Sequence, residues 1–499
     1  MPSTAIVEYP AGFSKGESVP VYILGLGLPL PVENRSFSFK HMMNHPVLAS
    51  ADVIIGGKTQ LAGFVDHPAE KLFIGADSLS LYERIEANRR KGQRQVVLCG
   101  GDPLFFGLGA RLAERFAPGT LRILPGIGSL QAAAAFLSMA WENVEAVSLH
   151  GRNSRLPLAH ALIRAASGGC SIFLLTDSAS SPASVAAFMQ ERGHSGYMMH
   201  VMGNLHFTPD TGCAGTVYPS SVPAALHTCV QAEYYARLTV EQAISLPAIK
   251  KESGPLQLVI WLEPMPPAVR DGGTISWPFG LQDASLAAEN ALFTKTPVRA
   301  VGLGALGIEA GDTVWDLGAG SGAMSVEAAR LAHRGRVVAV EARADRIPLL
   351  EKNRRRFGAA NMEILHGSLP EALDDCLAVS SPPQRIFWGG GLSGNGGEAS
   401  RSAVEKIFHK AWDALLPGGR MVIHCVLLSS LEFVRAQFSR TGVAAEVSCI
   451  QASLSVPLAG DYRLHALNPV FLVSASKPEH SSPSAKGRAS SGREHGGTP

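Results

Sequence analysis

Short apolar runs punctuate the first half of the chain: VYILG, ADVIIG, KLFIG, QVVLCG, LRILPG, SIFLLTD and, at 256–262, LQLVIWL. Gly or Asp closes most of them, and helical patterns separate them. Such runs predict strands buried on both faces, parallel or mixed, and joined by helices. Residues 263–280, EPMPPAVRDGGTISWPFG, hold no sustained period and are rich in Pro and Gly, which predicts a linker between domains. Beyond it the rhythm restarts with TVWDL, RVVAVE, MEILHG, RIFWGG, RMVIHCV and VFLVS, six strands that suggest a doubly wound sheet. Residues 206–253 fit less well. They predict a helix around 232–244 and no clear strand, and read as an insertion. The boundaries that follow are one α/β domain over 18–264, a linker over 265–279, a second α/β domain over 280–476 and a polar, low-complexity tail over 477–499, expected to be disordered.

Composition narrows the class. At 499 residues the chain exceeds one ordinary core, and domains of about 150 to 250 residues are expected. Apolar residues at 46% and charged residues at 17% suit a globular enzyme. The net charge of +2 speaks against a nucleic-acid binder, and the dense basic cluster KNRRRF, 352–357, reads as a solvated helix face. The longest apolar run, LQAAAAFLSMAW at 130–141, is shorter than the roughly 20 residues that span a bilayer. The first residues carry no export or organelle pattern, so a cytoplasmic location is expected. Seven cysteines without a CxxC pair argue against a disulfide framework or a thiolate zinc site, and no protein metal site is expected.

The chemistry begins at 314–331, VWDLGAGSGAMSVEAARL. An acid, Asp316, ends an apolar strand; Gly318, Gly320 and Gly322 make a turn; Met324, Ala328 and Leu331 give the next helix an apolar face. Glycines suit a turn that a ligand must approach closely. Glu341 closes the following strand, where a carboxylate can accept from both ribose hydroxyls. A nucleoside ligand is implied. Gly318, Gly320 and Ala323 also satisfy the dinucleotide pattern GxGxxG/A, so NAD competes. Asp316 favours the cationic methionine end of S-adenosylmethionine over a pyrophosphate, and Gly322 supplies the tighter GxGxG form.

TKTPVRAVGLGALGIEAGDTVWDLGAGSGAMSVEAAR, followed in order by HGSLPEAL, RIFWGGG, LLPGGRMV and YRLHALNPVFLVS, resembles the carbon-15 methylating and decarboxylating enzymes of corrin synthesis, the CbiT family. The resemblance covers nearly all of 280–476. It implies a Rossmann-like class I methyltransferase domain in which Asp316, Gly318, Gly320, Gly322, Glu341 and the Gly367–Ser368 turn hold S-adenosylmethionine.

In the first half GGDPLFFGLG, 100–109, follows one strand and LPGIGSLQAAAA follows the next. Neither carries the Lys of a phosphate cradle, and Asp102 with Pro103 can make an ordinary turn. ILGLG, ADVIIGGKTQL, GGDPLFFGLG, LPGIGSLQAA, SLHGR and FLLTD together resemble the tetrapyrrole methylase superfamily, nearest its carbon-5 methylating CbiE branch, over about 20–262. That resemblance implies two α/β lobes with the methyl donor between them, contacted by Gly100, Gly101, Asp102, Ser129 and Thr176.

Both halves together resemble the fused, CobL-like precorrin-6B C(5,15)-methyltransferases (decarboxylating). The resemblance implies one S-adenosylmethionine per domain, methylation at C-5 and C-15, and loss of the C-12 acetate carboxyl. The partner is then a small tetrapyrrole, metal-free or carrying its own cobalt, with no nucleic acid and no membrane; family analogy suggests a homo-oligomer. Lys295, Arg299 and Arg463 are candidates for binding ring carboxylates, and Trp388 for lining the macrocycle site. His150 and His424, near strand ends, are candidate proton carriers. An RNA methyltransferase fused to a degenerate tetrapyrrole-binding module is the alternative reading.

Overall fold

The computed structural model describes residues 19–27, 45–75, 78–151, 154–177, 179–209, 228–247, 249, 257–265, 280–287, 294–389 and 397–479. Residues 28–44, much of the 206–253 stretch, most of the linker and most of the tail lie outside them. Near residue 269 the chain divides into two compact units, the second also taking the short stretches Leu162–Gly168 and Met189–His194.

The first unit holds two sheets. β1 (Val21–Gly25), β2 (Val53–Gly56), β3 (Glu70–Phe73), β4 (Gln95–Cys99) and β5 (Leu121–Leu124) form a wholly parallel sheet in the order β3-β2-β4-β1-β5. Successive residues bury on opposite faces: Ile23, Val53, Ile55 and Val97 enter one core, and Leu24, Ile54, Val96 and Leu98 the other. This is why the strands read as continuous apolar runs.

β6 (Val144–Ser148), β7 (Ser171–Leu175), β8 (Tyr197–Pro209), β9 (Thr228–Thr239) and β10 (Leu258–Pro264) form the second sheet in the order β6-β7-β10-β8-β9, with only β6 and β7 parallel. β9 corrects the expectation for 232–244. Residues 232–239 are strand, and the helix is confined to Val240–Ile244, where Thr239 and Gln242 close a reciprocal cap. Val230, Ala232, Tyr234, Ala236 and Leu238 recur at every second place and face inward, while Gln231, Glu233, Tyr235 and Arg237 are exposed. Ala, Glu, Arg and Leu favour helix in isolation, but the period of two wins once β8 offers a partner.

The second unit is a seven-stranded, doubly wound sheet in the order β13-β12-β11-β14-β15-β19-β16. Its strands are β11 (Thr313–Leu317), β12 (Arg336–Glu341), β13 (Met362–His366), β14 (Arg385–Trp388), β15 (Arg420–Cys425), β16 (Glu446–Ile450) and β19 (Val470–Ser476). β13 through β15 pair in parallel, and β19 runs antiparallel between β15 and β16. The fold is the Rossmann-like one expected, with β16 as an edge strand that lacks an apolar run. β17 (Ser453–Leu458) and β18 (Asp461–Ala466) make a separate hairpin whose β18 residues are all exposed. Among the described residues, no helix is long and apolar enough to cross a membrane.

Candidate functional site

In the second unit the chain leaves β11 through three glycines in the left-handed region: Gly318 at φ 77°, Gly320 at 60° and Gly322 at 82°. A side chain would strain each of them. A Cβ on Gly320 would meet nothing within 4 Å, whereas one on Gly322 would press on Met362 and Leu350. Conformation therefore requires glycine at 320, and the space above the turn stays open for a ligand. Glu341, at the end of the neighbouring β12, accepts from Gly320 N at 2.7 Å and from Arg343 N at 2.9 Å. The acid expected to bind ribose also braces the turn.

Asp316 lies beside it, buried, with one carboxylate oxygen accepting from Ser325 Oγ and the other, Oδ1, without a partner. Burial pushes its carboxyl up to about 7, and the nearby Glu341 adds to the rise. A buried, unpartnered carboxylate oxygen calls for a cationic neighbour. A sulfonium ligand carrying an ammonium group fits that demand; a pyrophosphate does not. Gly367, after β13, donates its N–H to Glu341 O at 3.1 Å, which sets the half-buried Gly367 and the exposed Ser368 beside the same acid. Asp316, the glycine turn, Glu341 and the Gly367–Ser368 turn thus gather at one edge of the sheet.

Supports that local sequence does not reveal hold this edge in place. Asn353 is buried and bonds Ser321 O at 2.8 Å and both polar backbone groups of Ala287. The helix Ala323–Leu331 is buried almost throughout, its polar Ser325 and Glu327 turned to interior partners.

Three substrate or proton-transfer candidates are corrected by their surroundings. Arg299 is 0% exposed: Nε bonds Glu327, Nη1 bonds Asp283 at 3.3 Å and Thr294 O at 2.6 Å, and Nη2 bonds Leu281 O. Every donor nitrogen is engaged by the protein, so it clamps the segment entering the unit rather than binding a ring carboxylate. Trp388 is buried in the core with Trp315 and Ile386 and cannot line a macrocycle site. His424 packs edge-on against Phe387 at 4.7 Å, and Gly302 leaves its Nε2 room where a Cβ would come within 2.8 Å. Burial lowers its pKa to about 4, so the ring is neutral near pH 7 and a weak base. Lys295 caps the helix Thr296–Leu306, half-buried, and Arg463 stands exposed on β18.

In the first unit three loops knot together where β4, β1 and β5 end. Gly101 N donates to Gly27 O at 3.1 Å, and a Cβ on Gly126 would fall 2.7 Å from Gly101 O and 2.8 Å from Gly25 O. Gly25, Gly101 and Gly126 approach so closely that only glycine fits at 25 and 126. Asp102 accepts from Leu104 N at 2.8 Å, so its turn is locally bonded as its residue type suggests. A Cβ on Gly128 would stand 3.7 Å from the Asp102 side chain, and Gly128 leads into the helix Ser129–Leu137. That helix buries Leu130, Ala132, Ala133 and Ala134 against Phe173 and Trp261 of the second sheet. Gly100, Gly101, Asp102 and Ser129 therefore come together at the joint between the lobes. Thr176, just after β7, donates to Leu258 O at 2.7 Å, and Phe105 lies 6.2 Å from Phe173 on that strand. His150 is exposed in the loop after β6, beside Gly151, whose N–H donates to Asp177 at 2.7 Å; that bond holds the Asp177 carboxyl below the usual range.

A family described as precorrin methyltransferase domain matches residues 286–477, and one described as tetrapyrrole (corrin/porphyrin) methylases matches residues 45–205. The chain is 28% identical over 384 residues, 76% of it and 79% of the relative, to precorrin-6Y C(5,15)-methyltransferase [decarboxylating] of a Sinorhizobium species. It is 32% identical over 197 residues, 39% of it and 94% of the relative, to cobalt-precorrin-6B C(15)-methyltransferase (decarboxylating) of Salmonella typhimurium. A crystal structure of precorrin-6Y C5,15-methyltransferase from Geobacter metallireducens is 30% identical and covers 40% of this chain and 100% of that one, with a TM-score of 0.36.

Proposed function

Because the chain belongs to the decarboxylating precorrin methyltransferase family, we propose that its two units methylate one tetrapyrrole at different meso carbons. The first acts at C-5. The second acts at C-15 and removes the C-12 acetate carboxyl. The enzyme is an S-adenosylmethionine-dependent methyltransferase of cobalamin synthesis.

The observation that carries the reading is the unpartnered, buried Oδ1 of Asp316 beside three left-handed glycines and Glu341. S-adenosylmethionine supplies a methyl group already activated on a sulfonium. The protein's share is to hold a nucleophilic carbon in line with it and keep water out. Asp316 answers the positive charge, Glu341 the ribose, and the Gly367–Ser368 turn the base. In the first unit Gly100, Gly101, Asp102, Ser129 and Thr176 are proposed to do the corresponding work at the joint between the lobes. Lys295 and Arg463 remain proposed carboxylate ligands, and His150 a proposed proton carrier. We place the enzyme in the cytosol as a homo-oligomer acting on a diffusible tetrapyrrole, and the net charge of +2 supports independence from nucleic acid.

Calorimetric titration of the intact chain with S-adenosylhomocysteine tests the reading. Two saturable sites per chain are expected, with Asp316→Ala weakening one and Asp102→Ala the other. A single site, or displacement by NAD, contradicts it.

A further inference from the structure

β15 ends at Cys425, and the three residues that follow, Val426, Leu427 and Leu428, are all apolar and exposed, at 58%, 44% and 65%. Consecutive exposed apolar residues cost solubility and mark a surface that something covers. Their place in the sheet says what. Leu317 of β11 pairs in register with Trp388 of β14, and Trp388 with Ile423 of β15. Two strand spacings of about 4.8 Å put the strip about 10 Å to one side of the glycine turn, at the same carboxyl edge. Glu341 and the Gly367–Ser368 turn, assigned above to the nucleoside, follow β12 and β13 on the other side. The β14–β15 side is thus left for the molecule that accepts the methyl group.

We propose that Val426, Leu427 and Leu428 form the apolar platform against which the second unit docks the face of its macrocycle, in place of the buried Trp388. The proposal rests on the functional reading above. The strip positions the ring by contact area alone, since three aliphatic side chains offer no polar group. It therefore sets substrate affinity and leaves the methyl donor's site unchanged.

The test compares the full-length chain with its Leu427→Ser/Leu428→Ser variant. Uroporphyrin, a tetrapyrrole carrying eight carboxylates, is added without methyl donor, and hydrogen exchange is followed by mass spectrometry. In the wild type it is expected to slow exchange in residues 426–431, and in the variant to leave them unaffected. The variant's KM for the ring in C-15 methylation is expected to rise about tenfold or more with kcat little changed, the pattern of lost uniform binding. S-adenosylhomocysteine affinity and C-5 methylation stay at wild-type levels. An unchanged KM, or exchange in 426–431 indifferent to uroporphyrin in the wild type, overturns the proposal alone. So does a variant that sediments as a smaller species than the wild type, which makes the strip a contact between copies of this chain. A wild type that binds no S-adenosylhomocysteine overturns the functional reading instead, and shows this before any variant is compared.

Discussion

Asp316 owes its chemistry to where the strand ends. Its carboxyl is raised from 3.8 to about 7 because burial strips water from the charged form and Glu341 lies close by. The native chain therefore holds a proton that the unfolded chain releases between those values. Ionising Asp316 costs the ligand-free fold stability progressively as pH rises from about 4 to 7, and nothing below that window. A cationic methyl donor reverses the balance by favouring the carboxylate. Binding of S-adenosylmethionine to the second unit at pH 7 should release a fraction of a proton, seen as a buffer-dependent enthalpy, and affinity should fall as pH drops below 7. Asp316→Asn should abolish the dependence; if it persists there, the proton belongs elsewhere. Arg299 makes the opposite case, a residue whose charge serves the fold. Arg299→Ala strands Glu327, itself 2% exposed, and should destabilise the second unit by about 3–5 kcal/mol in denaturant melts. A substrate-binding arginine on the surface would leave the melt unmoved.

At the level of elements, local chemistry told more than pairing did. The strand, turn and helix around Gly318, Gly320 and Gly322 could be read from residue types, because left-handed backbone and a strand-end acid are short-range demands. Ser325, Glu327 and Asn353 could not, since their partners approach only once the sheet has wound. Trp388 and His424 stand in β14 and β15, where sequence cannot say whether a strand-end side chain faces core or cleft. In β9 helix-forming residue types mask a period of two. As an edge strand paired, among the described residues, to β8 alone, it should protect about every second amide between 228 and 239 from hydrogen exchange. Uniform protection in an i to i+4 pattern would restore the helix. The glycine knot gives another expectation. Gly126→Ala sets a Cβ within 2.8 Å of three backbone atoms and should cost the first unit about 2–3 kcal/mol, read from its melting transition. The mutation should spare methyl-donor binding by the second unit.

For the whole molecule, the broken rhythm of apolar runs near the linker predicts two α/β units, and the chain divides into two compact units, the second also taking Leu162–Gly168 and Met189–His194. Each gathers its candidate residues where parallel strands end, as open α/β sheets do. The two sites differ in kind: a buried acid and left-handed turn in the second unit, a knot of close-packed backbone in the first. Two unlike candidate sites on one chain suit two methylations of one ring. The most direct measurement is mass spectrometry of the ring product made by the intact chain and by Asp316→Ala and Asp102→Ala variants. The account predicts two added methyl groups and one lost carbon dioxide from the intact chain. Asp316→Ala should then keep the C-5 methyl and lose both the C-15 methyl and the decarboxylation, and Asp102→Ala should do the converse. Two methyl groups from the Asp316→Ala chain, or loss of both from either variant, would contradict it.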